Sequence, residues 1–268
     1  MKLSLNTATI KKQWNLAQMI DGCVRHGIEG ISPWRDQIAA LGLQNTKKLI
    51  RDAGLTVTGV CRGGFFAEKD WKSDNLRAIE EAHELGAPAL ILVVGGMPPG
   101  SRDLHSCRKQ IQDCIATILP EARKAGVPLA IEPLHPMQVT RAAVNTLEQA
   151  LDMCDALDPG GAQGAPGVGV AVDVYHVWWD PKLQSQIARA GARVLGYHIC
   201  DWLPATRDIF NDRGMMGDGV IDLPLIRSWV EGAGYAGFQE VEIFSELDWW
   251  KRDPDEVLTV CKQRLAVS

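Results

Sequence analysis

Residues 168–173 read VGVAVD, an apolar run that ends in an acid and leads through VYH into Trp178 and Trp179. Successive side chains of a strand point to opposite faces. Val168, Val170 and Val172 therefore form one face, suited to packing against helices, while Gly169, Ala171 and Asp173 form the other. Seven more runs of this kind recur along the chain, at 3–6, 28–32, 55–61, 89–94, 128–133, 194–199 and 238–244. Segments with helical spacing separate them, among them NLAQMIDGCVRHG, NLRAIEEAHELG and CRKQIQDCIATILPEARKAG. Several of these end in glycine, at Gly27, Gly54, Gly86, Gly126 and Gly234, where a helix C-terminus favours it. Strands alternating with helices pair in parallel through right-handed crossovers. Eight such units in 268 residues match one α/β domain spanning 1–268, a (β/α)8 TIM barrel.

A doubly wound open sheet is the competing architecture, but the GxGxxG expected after its first strand is missing. GMMGDG at 214–219 follows the seventh strand, has no phosphate-loop lysine and reads as a backbone turn. DPGGAQGAPG at 158–167 joins a helix to a strand and reads as a surface loop. A formal net charge of −5 argues against a nucleic-acid partner. The seven cysteines are odd in number and form no CxxC pair, which points to reduced cytoplasmic thiols and away from a disulfide framework or a thiolate zinc site. MKLSLNTATI lacks a long apolar core and no apolar run approaches membrane length, so the expectation is a soluble protein with no membrane partner.

In a barrel of this kind chemistry gathers at the C-terminal ends of the strands. The fifth strand ends in Glu132, the sixth in Asp173, the seventh near His198, and the eighth carries Glu240 and Glu242. Parity turns all five inward. Any one of them alone is most simply a helix cap or an ion-pair partner. Several carboxylates in one lumen repel and are poorly solvated, so together they need protons or a cation. Three carboxylates and an imidazole make a hard site for one divalent ion: Mn²⁺, Mg²⁺ or Co²⁺, with Zn²⁺ also accepted. His176 lies one step beyond the sixth strand and can reach over such an ion toward a bound molecule. The chain holds nine tryptophans, and Trp34, Trp178, Trp179, Trp202, Trp249 and Trp250 fall on or near strand-to-helix loops. Core packing is the plain reading of each; as a group they suit a saccharide cleft, with Trp178 expected against the substrate.

IEPLHP, DVYH, GYHICDW and GYAGFQEVEIF resemble, in order and spacing, the xylose-isomerase-like barrel superfamily. That superfamily includes ketose epimerases, hydroxypyruvate isomerases, inosose isomerases and dehydratases, and a family of apurinic endonucleases. The resemblance implies a metal held by Glu132, Asp173, His198 and Glu242, with Glu240 a deeper group behind it. It implies proton transfer by Glu132 and Glu242, and substrate contact by His176 and by an arginine of the seventh loop, Arg207 with Arg213 as the alternative. Two departures matter. Gln138 stands where the ketose epimerases carry an acid, and SPWRD, CRGGF and CDWLPATRD lack the histidines of the trinuclear nucleases. The expected activity is metal-dependent isomerisation or epimerisation of a sugar or keto-inositol through an enediolate. A lyase acting by β-elimination on the same substrates is the alternative, and a non-catalytic sugar-binding barrel a further one. The partners expected are a small carbohydrate and at most further copies of the chain.

Overall fold

A computed structural model describes the whole chain except residues 99, 162, 163 and 267, so part of the 158–167 loop lies outside the described residues. The strands are β1 (Lys2–Asn6), β2 (Gly30–Ser32), β3 (Thr56–Val57), β4 (Val60–Gly64), β5 (Leu90–Val93), β6 (Leu129–Ile131), β7 (Val168–Asp173), β8 (Val194–Ile199), β9 (Asp201–Trp202), β10 (Arg213–Gly214) and β11 (Phe238–Val241). The helices are α1 (Leu16–His26), α2 (Arg35–Leu41), α3 (Leu43–Asp52), α4 (Trp71–Glu84), α5 (Leu104–Ala125), α6 (Leu147–Leu157), α7 (Val174–Val177), α8 (Leu183–Ala190), α9 (Leu223–Gly232) and α10 (Pro254–Leu265). The main sheet runs β3-β2-β1-β11-β8-β7-β6-β5-β4, with every pairing parallel. Its two ends, β3 and β4, are consecutive pieces of one strand, so the ring closes through the chain itself. This is the TIM barrel that the eightfold alternation implies.

The expected third strand is broken in two at Thr58 and Gly59. Thr58 turns inward there, its hydroxyl 2.7 Å from that of Ser4 and donating to Glu240 at 2.9 Å. Valines 168, 170 and 172 pack outward in the main core, while Cys61, Ala89, Ile91, Ala130 and Ala171 form a separate small cluster within the lumen. Leu195 departs from simple alternation. The register of β7 on β8 skips it, and it packs on that inner cluster instead of facing the helices.

Helix α1 shows how local sequence sets an element. Asn15 and Gln18 close a capping box at its start, and Leu16, Met19, Ile20 and Cys23 make one buried stripe. Gly27 ends it with φ 60°, the left-handed conformation that a glycine adopts without cost. No described helix is long and apolar enough to cross a membrane. Beyond β8 the chain forms the antiparallel pair β9 and β10, with Arg213 opposite Trp202. GMMGDG is a turn wrapped on Asp201, whose carboxylate accepts the backbone N–H groups of Gly217, Gly219 and Ile221 at 2.9, 2.9 and 3.0 Å. That tie fixes the segment presenting Arg213 over the barrel mouth.

Candidate active site

Glu132, Asp173, His198 and Glu242 are all buried, and one ligand-type atom from each lies within 4.8 Å of all the others. They come from the ends of four successive barrel strands, as parity requires. Nδ1 of His198 sits 3.0 Å from Oε1 of Glu132 and 3.9 Å from Oε2 of Glu242. The approach to Glu132 is misaligned, and Oε1 of Glu132 and both ring nitrogens of His198 are buried without a hydrogen-bond partner. Leaving such atoms unpaired costs roughly 1–3 kcal/mol each. A cation between them would remove that cost, so the donor set fits a divalent ion.

Glu240 lies deeper. Its Oε1 accepts from Nδ2 of Asn6 at 2.7 Å and its Oε2 from the Thr58 hydroxyl. The Asn6 amide is oriented by Nε1 of Trp34 and the N–H of Ala8, both donating to Oδ1. Nε2 of His198 faces Glu240 at 3.5 Å. Glu240 therefore stands behind the imidazole, on the side opposite Glu132, where a carboxylate orients a ligating histidine.

Asp173 divides its oxygens. Oδ1 caps α7 by accepting the N–H of Tyr175 at 2.9 Å, and Oδ2 accepts from Nη1 of Arg213 at 2.9 Å. The same Nη1 donates to Oε2 of Glu242 at 3.1 Å. His176, on α7, accepts the backbone N–H of His135 at Nδ1, 3.2 Å away. Nε2 lies 3.1 Å from Nη2 of Arg213 and 3.5 Å from Oδ2 of Asp173, so two donors, the His135 N–H and Arg213, face a neutral ring that can accept at only one nitrogen.

Without an ion, burial raises the carboxyl of Glu242 well above the usual range, Arg213 only partly offsetting it. Burial acts on Asp173 in the same direction, but Arg213, His176 and His198 outweigh it and hold the acid below its ordinary value. Burial works against a charged His198, yet Glu240, Glu132 and Glu242 together raise it well above 6.5. Burial lowers His176 to about 3, with Arg213 adding to the effect, so that ring is neutral at ordinary pH.

The group opens into a cavity of about 420 Å³ whose lining includes Glu132, Glu242, His176 and Arg213, together with Trp34, Phe210 and Phe244. Two sequence expectations fail here. Arg207 is not in the cavity: its side chain is 56% exposed and bonded to Asp212 at 2.6 Å, an acid five residues away that captures it locally. Arg213, held by the β9–β10 pair, occupies the site. Trp178 is also absent from the lining; it packs on the core, 5.9 Å from Trp202 in a tilted pair. The indole and phenyl wall is Trp34 and Phe244, ring centroids 5.5 Å apart. Phe244 continues the inward parity of Glu240 and Glu242, so a signal for it was present. Lys11, Arg62 and Arg141 also line the cavity, and sequence reasoning missed them because they lie on a turn, a bulge and a loop.

A family model described as the xylose isomerase-like TIM barrel matches residues 20–260. The chain belongs to this family. The match spans every strand that carries a member of the buried group. Among curated relatives, an inosose isomerase of Bacillus velezensis is 25% identical over 98% of this chain and 95% of its own length. An inosose isomerase of Bacillus subtilis is 23% identical, with coverages of 98% and 96%. The solved protein SMc04130 of Sinorhizobium meliloti 1021 is 55% identical, with TM-score 0.94 over 98% of this chain and 97% of that one. A structure of the IolI protein with a binding zinc atom shares the fold, at 22% identity and TM-score 0.83 over 99% and 97% of the two chains.

Proposed function

We propose that this family member is a divalent-metal-dependent isomerase or epimerase acting on a ketose or keto-inositol through an enediolate. The observation that carries the reading is the convergence of Glu132, Asp173, His198 and Glu242, with buried donor atoms lacking partners, at the floor of a cavity. The inosose isomerase relatives support the substrate class. Mn²⁺, Mg²⁺ and Co²⁺ suit three carboxylates and an imidazole, and Zn²⁺ is supported by the zinc of the IolI neighbour. Once bound, the ion would act as a Lewis acid on a substrate carbonyl and its adjacent hydroxyl, easing loss of the α-proton.

One of Glu132 and Glu242 takes that proton and the other, or water, returns it. Burial brings Glu242 up from the ordinary carboxylate range while a cation would bring it down, which leaves it tunable toward neutrality. His176 presents its ring edge to a substrate oxygen, and Asp173 beneath it keeps the ring in register. Arg213, which lines the cavity beside His176, would donate to a second oxygen. Trp34 and Phe244 supply apolar faces for the C–H side of a sugar.

The test is a panel of ketoses, inososes and 3-keto sugars in deuterated buffer with Mn²⁺, read by loss of the exchangeable C–H signal. Exchange that stops on addition of EDTA and returns with Mn²⁺, Co²⁺ or Mg²⁺ is the expected result. Exchange in rigorously metal-free protein would sink the mechanism. An α,β-unsaturated product would identify a lyase, and tight binding with no exchange a sugar-binding barrel.

His176→Ala should leave metal content unchanged and lower kcat/KM by about 10²-fold, the loss of one transition-state hydrogen bond in a dry site. Normal kinetics in the surviving folded fraction, with only stability reduced, would make His176 a structural residue instead.

Metal uptake should also release protons. His198 and Glu242 both titrate above their ordinary values in the metal-free protein, so acid competes with the ion for them. Apparent affinity therefore rises with pH through the neutral range. Calorimetry in two buffers of different ionisation enthalpy reads the protons directly, and a pH-independent affinity with no proton release would contradict the assignment.

A further inference from the structure

The chemistry above leaves one wall of the cavity unused. Lys11, Arg62 and Arg141 line it, all three half-buried. Among the described residues none of the three is ion-paired, whereas the neighbouring Arg35 is neutralised by Asp74 at 2.8 Å and by Glu81. Aromatic faces hold them instead. The Arg141 guanidinium carbon lies 3.7 Å from the Phe210 ring centre, that of Arg62 lies 4.0 Å from Phe65 and 5.6 Å from Trp34, and Nζ of Lys11 lies 4.5 Å from Phe244. Such contacts orient a cation without cancelling its charge.

Arg62 is there by construction. The register of β4 on β5 runs from Cys61 to Gly63 and skips it, so Arg62 is the extra residue of a bulge. Simple alternation after the inward Cys61 would send it out among the helices; the bulge re-aims it into the cavity. Burial disfavours the charged forms of Lys11, Arg62 and Arg141 alike, so holding three cations in this wall is costly.

Charge balance points the same way. One divalent ion and Arg213 would offset three of the four buried carboxylates, with Glu240 left deeper behind His198. On the outer wall, three cations face a single lining acid, Asp36. Taken by itself, that wall has a surplus of two positive charges.

We infer that the substrate is anionic: its far end carries a phosphate ester or carboxylate, which Arg62, Arg141 and Lys11 bind while the sugar end meets the carboxylate and imidazole group. Guanidinium forks match the planar oxygen pairs of both anions. The sugar-end chemistry rests on the function proposed above; the anion site rests on the cationic wall alone.

The experiment is equilibrium binding by calorimetry to the full chain, metal-free and Mn²⁺-loaded, with ribose, ribonate and ribose 5-phosphate as probes. At least one anionic probe should bind about 10-fold or more tighter than ribose, with the preference shrinking as salt screens the wall. The stronger anionic probe identifies phosphate or carboxylate as the recognised group. Arg62→Gln and Arg141→Gln should each remove most of the preference while metal content by mass spectrometry stays unchanged. Arg62→Lys, which keeps the charge, should retain part of it, and the wild-type salt dependence stands even if a glutamine variant fails to fold. Equal binding of all three probes, no binding of either anion below about 10 mM, or a preference that survives in the R62Q/R141Q double variant would overturn the inference. Anion preference without stoichiometric metal uptake would fault only the proposed isomerase chemistry; metal uptake without anion preference would fault only this one.

Discussion

Glu242→Gln is expected to lower turnover by about 10³-fold or more and to weaken metal binding, because it removes both a ligand charge and a candidate general base. Glu240→Gln should keep the ion and lose about 10- to 100-fold in affinity or activity, through looser orientation of His198. The two residues share a strand face, yet successive inward positions are roughly 6.6 Å apart while carboxylate ligands sit near 2.1 Å from an ion. The geometry separates them. Glu242 meets Glu132, Asp173 and His198 at the open end, and Glu240 is tied to Asn6 and Thr58 below. Metal content by mass spectrometry that falls for Glu240→Gln and not for Glu242→Gln would reverse their roles.

Arg213→Met carries the largest expected stability effect. The guanidinium is buried and bridges Asp173 at 2.9 Å and Glu242 at 3.1 Å. Removing it leaves the buried Asp173 carboxylate uncompensated and Glu242 without its donor, at a cost of about 3–5 kcal/mol in the metal-free protein. Asp173 sets the pH dependence. Its folded pKa lies below the unfolded value of about 3.9, so the contact contributes stability that is fully present above that value and lost as pH falls through the folded pKa. In the variant that contribution is absent, and stability should climb less between pH 2 and pH 5. A divalent ion replaces part of the lost positive charge, so Mn²⁺ should narrow the gap to wild type. Denaturant unfolding with and without Mn²⁺ measures all of this. A variant as stable as wild type in metal-free buffer would mean that the carboxylates need no such partner.

What could be read from the chain followed the regularity of its backbone. Glu132, Asp173, His198 and Glu242 sit on uninterrupted strand ends, where alternation alone says which way a side chain points. Where the backbone departs from alternation, the reading failed. Leu195 and Arg62 are bulge residues, and each reaches the lumen or cavity against simple parity. Arg207 and Arg213 share one loop and look equivalent in sequence. Local capture by Asp212 and the β9–β10 pair distinguish them, and neither leaves a periodic trace. The same holds for the tryptophans. Trp178 and Trp179 follow the sixth strand directly, yet α7 carries Trp179 back to donate to the His176 carbonyl at 2.8 Å, and Trp34 from the second loop forms the wall instead.

The central claim is that these four side chains hold one divalent ion. Anomalous diffraction from crystals loaded with Mn²⁺ tests it most directly. The account predicts one strong peak per chain, at about 2.1–2.3 Å from an oxygen each of Glu132, Asp173 and Glu242 and from Nδ1 of His198. No peak among them, or a peak ligated by Glu240 in place of Glu242, would contradict it.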